Sequence, residues 1–142
     1  DIRFAADTAR FGTAFTKRGL VPEYGLSWLL PRLIAPSKAF DLLYSARLVD
    51  ADEALAMGLV DRVYPTNELH AAVMDYAREM AKGVSPRSTR VVKELVYQGL
   101  DQGFEAAMAR SLEEMSEAAK SDDFREGIAA WKDKRAPDFT GT

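Results

Sequence analysis

The stretch Asp50-Ala51-Asp52-Glu53-Ala54-Leu55-Ala56-Met57-Gly58-Leu59-Val60-Asp61-Arg62-Val63 is where the fold is most directly read. Asp50 and Glu53 stand at the spacing of a capping box in an aspartate variant, so a short helix is predicted over Ala51 to Met57. Gly58 supplies the left-handed residue that closes such a helix. Leu59 to Val63 then reads as a strand, giving a helix-turn-strand unit.

Downstream the signals are helical. Thr66 is placed to cap a helix reaching Lys82, and Ser85-Pro86 combines an N-cap with proline at the first helical position of a helix ending near Gln98. Phe104, Met108, Leu112 and Met115 recur at four- and three-residue spacing, which predicts a helix from Phe104 to about Ala119 with one apolar stripe. Ser121 caps a last helix through Trp131, and Pro137 precedes a polar tail ending in Gly141-Thr142. The pairs Glu113-Glu114 and Asp122-Asp123 read as solvated charges, the second favoured at a helix start by the macrodipole.

Upstream, Pro36-Ser37 opens a helix carrying Ala39, Phe40, Leu42 and Leu43, with Ser37 as its cap. A preceding helix runs to about Leu30, where Pro31 ends or kinks it, and Gly19 to Glu23 form a loop around Pro22. Two short strands are expected before that. Ile2, Phe4 and Ala6 alternate with Asp1, Arg3 and Ala5, and Ala9 to Thr13 follow an Asp7-Thr8 turn. The class is α/β, a small β portion leading into a mostly helical remainder. Short strands alone are marginal in water, so further chain is expected upstream to complete the β part, and this stretch by itself is expected to fold poorly.

Composition excludes several classes. With 142 residues, 47% hydrophobic and 29% charged, the chain has the makeup of a packed domain rather than a disordered one. A net charge of −3 and no basic run longer than a pair argue against nucleic acid as a partner. The absence of cysteine removes thiolate and Cys-zinc chemistry. Ala54 to Val60, counting Gly58, is the longest apolar run, far short of the roughly 18–20 residues of a bilayer span. No secretory signal opens the chain, so a soluble cytoplasmic protein with no membrane partner is the expectation.

Taken in order, several segments resemble the enoyl-CoA hydratase/isomerase (crotonase) family, C-terminal half. They are Asp1-Ile2-Arg3, Ala9-Arg10-Phe11-Gly12, Gly19-Leu20-Val21-Pro22, Leu30-Pro31-Arg32-Leu33, Ala51-Asp52-Glu53-Ala54 and Gly58-Leu59-Val60-Asp61-Arg62-Val63. Arg125-Glu126-Gly127 and Trp131-Lys132-Asp133-Lys134-Arg135-Ala136-Pro137 are similar to its C-terminal signature. The resemblance implies the end of a crotonase-type β-turn spiral core with its helices over residues 1–64, followed by a helical C-terminal region over 65–142. It also implies chemistry on acyl-CoA thioesters through a stabilised enolate, and assembly into a homo-oligomer, a trimer or hexamer. No cofactor is implied, CoA being part of the substrate. The oxyanion-hole donors belong to the half preceding Asp1, so that half is an expected partner and this chain alone is expected to be inactive.

By the same resemblance, Phe15 occupies the position of a glutamate in the hydratase branch, and Glu23 the position where related isomerases and dehalogenases carry an aspartate. Phe15 cannot move a proton and reads as acyl-pocket packing. Glu23 is the catalytic candidate, as general acid or base or as nucleophile; a solvated loop carboxylate is the other reading of the same residue. Tyr24 and Trp28 read as substrate-pocket or core walls. Lys134 matches a CoA-phosphate contact and Trp131 an aromatic near the adenine, against the plainer reading of Lys134 as a surface lysine. His70, the single histidine, has no second ligand or nucleophile at motif spacing and reads as solvated; no metal site is expected. A function from a different class is a non-catalytic helical assembly module built on the Phe104 to Met115 stripe.

Overall fold

In a computed structural model describing residues 1–142, the stretch around Asp50 folds much as read. Asp50 Oδ1 accepts the Glu53 N–H at 2.9 Å and opens a helix over Ala51–Met57, which Gly58 closes at φ 81°. The reciprocal half of the capping box is absent, because the Glu53 carboxylate turns to Arg47, taking Nη1 at 2.8 Å and Nη2 at 2.5 Å. Arg47 also reaches Asp41, so one guanidinium ties two helices together. That contact holds the Glu53 carboxyl below its usual range, mainly through the Arg47 hydrogen bonds.

The chain divides into two compact units, Asp1–Met74 and Asp75–Thr142. In chain order the elements are β1 (Phe4–Ala6), β2 (Arg10–Phe11), a 3-10 turn (Thr16–Arg18), α1 (Leu26–Leu33), α2 (Pro36–Ser45), β3 (Val49–Asp50), α3 (Ala51–Met57) and β4 (Arg62–Tyr64). They are followed by α4 (Leu69–Gly83), α5 (Pro86–Gly99), α6 (Phe104–Ala118) and α7 (Asp122–Asp133). No helix is long and apolar enough to cross a membrane.

In the first unit β1 pairs with β4 in parallel, Ala5 opposite Val63, and β2 with β3 antiparallel, Phe11 opposite Val49. The first two strands therefore do not pair with each other. Ala5, not its neighbours, is the buried residue of β1, the reverse of the expected alternation, because Phe4 stacks on Tyr64 along the sheet surface. Both sheets close on one core of Leu30, Ile34, Leu42, Val49, Ala54 and Val60. Each large aliphatic there contributes roughly 1.5–3 kcal/mol by leaving water. Gly12 lets the chain pass close to the segment before β3: a Cβ there would stand 2.7 Å from the end of the exposed Leu48 side chain, which would have to swing away, and 3.3 Å from the Arg47 carbonyl.

Several expected ends and caps move. Helix α1 starts at Leu26 and runs through Pro31 to Leu33, the Ile34 N–H closing on the Leu30 carbonyl at 3.0 Å. Ser37 is not the cap of α2; Ala35 holds that position and Pro36 the first turn, where its missing N–H costs nothing. Strand β4 begins three residues later than read, because the N–H groups of Leu59 and Val60 are drawn to the Ala54 carbonyl that ends α3. Thr66 does not cap α4. Its hydroxyl and N–H bond to Asp7 Oδ1 at 2.8 and 3.1 Å, latching the turn after β4 to the turn after β1.

In the second unit Ser85 and Ser121 cap α5 and α7 as read, accepting the N–H groups of Ser88 and Phe124. Helices α5 and α6 pack against each other. Asp123, however, is only 3% exposed rather than solvated. It is the acceptor for Ser85 Oγ at 2.5 Å and for the N–H groups of Thr140 and Gly141 at 2.9 and 3.0 Å, so four partners' worth of lone pairs meet three donors away from water. The Ser85 hydrogen bond is the main reason its carboxyl sits below the usual range. Glu114 is likewise only partly solvated, paired with Arg110 at 2.5 Å and near Arg87.

Candidate functional site

In the first unit the candidate residues sit between β2 and the start of α1. Phe15 is half-buried ahead of the 3-10 turn, its carbonyl accepting the N–H groups of Arg18 at 2.9 Å and Leu20 at 3.0 Å. The loop that follows presents Leu20 and Val21 to the outside. Tyr24 and Gly25 are both left-handed, at φ 54° and 73°, and this bend turns the chain into α1. A tyrosine in that conformation is strained by roughly 1–2 kcal/mol, whereas glycine adopts it freely.

Glu23 precedes the bend, with its carbonyl accepting the Leu26 N–H at 3.0 Å and its side chain exposed. Tyr24 is 94% exposed, and Trp28, in the first turn of α1, is half-exposed with the Arg32 guanidinium 3.7 Å from its ring centroid. The guanidinium also donates to the Trp28 carbonyl at 3.0 Å, which fixes the indole against the helix. This loop therefore gathers a carboxylate and two aromatic faces within six residues, none of them buried by the chain's own core.

In the second unit Trp131, 79% exposed, and Lys134 line an open depression with Ala130, Lys132 and Arg135. Lys134 is the C-cap of α7 at φ 53°, and the Arg135 N–H bonds back to the Ala130 carbonyl at 3.1 Å. A cation at a helix C-terminus meets a favourable dipole, yet glycine is the usual residue in this conformation. Arg135 is neutralised by Glu126, whose carboxyl that contact lowers to about 2, while Lys134 has no carboxylate partner. His70 is exposed, and no group of three or more His, Cys, Asp or Glu has metal-holding geometry.

Sequence reading missed the buried role of Asp123. The signal available was the pair of serine caps, since one carboxylate at the start of α7 meets the cap of α5. It also missed the reversal at Lys134, where Arg135-Ala136-Pro137 marks a turn without a glycine.

The enoyl-CoA hydratase/isomerase family model matches residues 1–142. A probable enoyl-CoA hydratase of Rhodobacter capsulatus is 35% identical over 141 residues, covering 99% of this chain and 54% of the relative. The mitochondrial methylglutaconyl-CoA hydratase of Mus musculus is 33% identical over 144 residues, covering 99% of this chain and 46% of the relative. The crystal structure of an enoyl-CoA hydratase from Bacillus anthracis matches with a TM-score of 0.95 and 31% identity, over 100% of this chain and 55% of that one. The chain spans about half the length of the curated relatives it matches. The likeness shows the α/β fold expected from the sequence, the end of a β-turn spiral leading into a mostly helical region.

Proposed function

Because the chain belongs to the enoyl-CoA hydratase/isomerase family, we propose that it supplies the C-terminal half of an acyl-CoA lyase or isomerase subunit acting through a thioester enolate. Two backbone N–H donors of the preceding half form the oxyanion hole. A base removes the proton from the carbon beside the thioester carbonyl, the electron pair moves onto the carbonyl oxygen, and those donors stabilise the charge that develops. In an isomerisation the enolate collapses through a shifted double bond as a proton is delivered farther along the acyl chain; in a lyase reaction its electron pair forms the double bond and expels the group on the carbon next to the one deprotonated. CoA enters with the substrate, and no further cofactor is required.

The observation that carries this reading is the exposed Glu23 carboxylate at the left-handed Tyr24–Gly25 bend, within six residues of two aromatic side chains, Tyr24 and Trp28, that the core leaves open. Glu23 is the proton-transferring group of this segment. Phe15, where the hydratase branch has a glutamate, leaves it as the one acid on this stretch and lines the acyl pocket with Tyr24 and Trp28. Trp131 and Lys134 meet the nucleotide end of CoA, the indole against adenine and the ammonium against phosphate. Subunits assemble as a trimer or hexamer in the cytoplasm.

The test is turnover of a panel of enoyl-, dienoyl- and aryl-CoA thioesters by the complete subunit, with release or rearrangement followed by chromatography. Turnover of at least one thioester is expected; binding without turnover of any would contradict the reading.

The exposed stripe of α6 favours a second reading, a non-catalytic assembly module. Under that reading the complete protein would oligomerise and turn over none of the panel.

A further inference from the structure

Lys134 holds a backbone conformation that lysine rarely keeps, so something outside its own residue must maintain it. The following residues show what does. Arg135 donates Nη1 and Nη2 to the two oxygens of Glu126 at 2.5 and 2.8 Å, and the Asp138 N–H donates to the same carboxylate at 2.7 Å. Farther along, the Phe139 ring lies over Gly127, where a Cβ would be 3.6 Å from the ring, and Asp123 takes the N–H groups of Thr140 and Gly141. Residues 123, 126 and 127 share one face of α7 at helical spacing. The tail thus runs back along α7 as a strap, and Lys134 is its point of reversal.

Resting on the phosphate-binding reading of Lys134, we infer that Glu126 is a positioning residue that fixes the Lys134 ammonium for a CoA phosphate by anchoring Arg135 next to it. Glu126 does not line the depression itself. The sign of its effect separates geometry from charge. Without Glu126, Arg135 keeps only one carboxylate contact, the longer one of its Nε to Asp133 at 3.6 Å, and brings less compensated positive charge to the depression it lines, which on charge alone would tighten phosphate binding. Weaker binding therefore reports lost geometry.

The experiment is a double-mutant cycle in the complete subunit, measuring kcat and KM on a full CoA thioester and on one truncated before the nucleotide. Glu126→Gln is expected to raise KM for the full thioester by on the order of three- to tenfold, typical of coupled neighbours. It should leave kcat and the truncated substrate unchanged and have no further effect in a Lys134→Ala background. Glu126→Asp, which keeps the charge but shortens the reach, should fall between, and it replaces the glutamine variant if that one fails to fold. A lower KM for Glu126→Gln, or the same rise with and without Lys134, overturns the inference. If Lys134→Ala itself leaves KM unchanged, the phosphate-binding reading fails first and takes the inference with it.

Discussion

Helices α3 and α6 were both legible as helices, yet they relate to their surroundings in opposite ways. Helix α3, seven residues long, is capped at both ends and buries Ala51, Ala54 and Met57, Ala54 completely. Helix α6, fifteen residues long and with a regular apolar stripe, buries no residue at all, and Phe104 at its start is 80% exposed. Periodicity thus announces that a face seeks apolar contact without saying which chain provides it. For α3 the partner is the core of its own unit; for α6 the stripe stands ready for another surface.

Substitutions should separate the two kinds of face. Leu42→Ala, against the α3 core, is expected to cost about 2–5 kcal/mol in urea unfolding. A cost under about 1 kcal/mol would mean that this core is not what holds the unit together. Asp50→Ala removes the side-chain cap of α3 and should cost about 0.5–2 kcal/mol by the same measurement. Leu112→Gln on α6 is expected to change unfolding of the protomer by less than about 0.5 kcal/mol. It should nevertheless shift sedimentation toward smaller species; an unchanged oligomer with a destabilised protomer would place the α6 stripe in an internal core instead.

Acid should have the mildest effect, and it acts on the strap of α7. Arg135 lowers the Glu126 carboxyl to about 2, so the stability Glu126 contributes is fully present above its usual value near 4.5 and is lost as pH falls toward 2. The groups around it are Arg135, Asp133 beside that guanidinium, and the Asp138 backbone. The protection factor of the Asp138 amide, its exchange relative to the intrinsic rate at each pH, should hold from pH 7 down to about 4.5 and fall only below. A protection factor that already falls near pH 6 would show that another group sets the strap.

What sequence reading delivered was local chemistry. The capping roles of Asp50, Gly58, Ser85, Pro86 and Ser121 run through neighbours within four residues, and each does what its spacing implied. Misreadings arose wherever a distant partner decided the outcome. Thr66 left its helix for Asp7, Glu53 left Asp50 for Arg47, and Asp123 was drawn from solvent by Ser85 and the tail. Strand β3, two residues long, exists through pairing with β2 and has no local pattern to reveal it. At the candidate site the residue types were readable, but the left-handed Tyr24 and Lys134 were not, since neither is a residue that favours that conformation.

The proposed proton transfer by Glu23 is tested most directly by its amide. Glu23→Gln keeps the shape and hydrogen-bonding capacity of the side chain while removing its titration. In the complete subunit, kcat on whichever CoA thioester the protein accepts is expected to fall by about 10²–10⁴-fold with KM near that of the wild type. A kcat within a few-fold of wild type would contradict that role and make Glu23 an ordinary loop carboxylate.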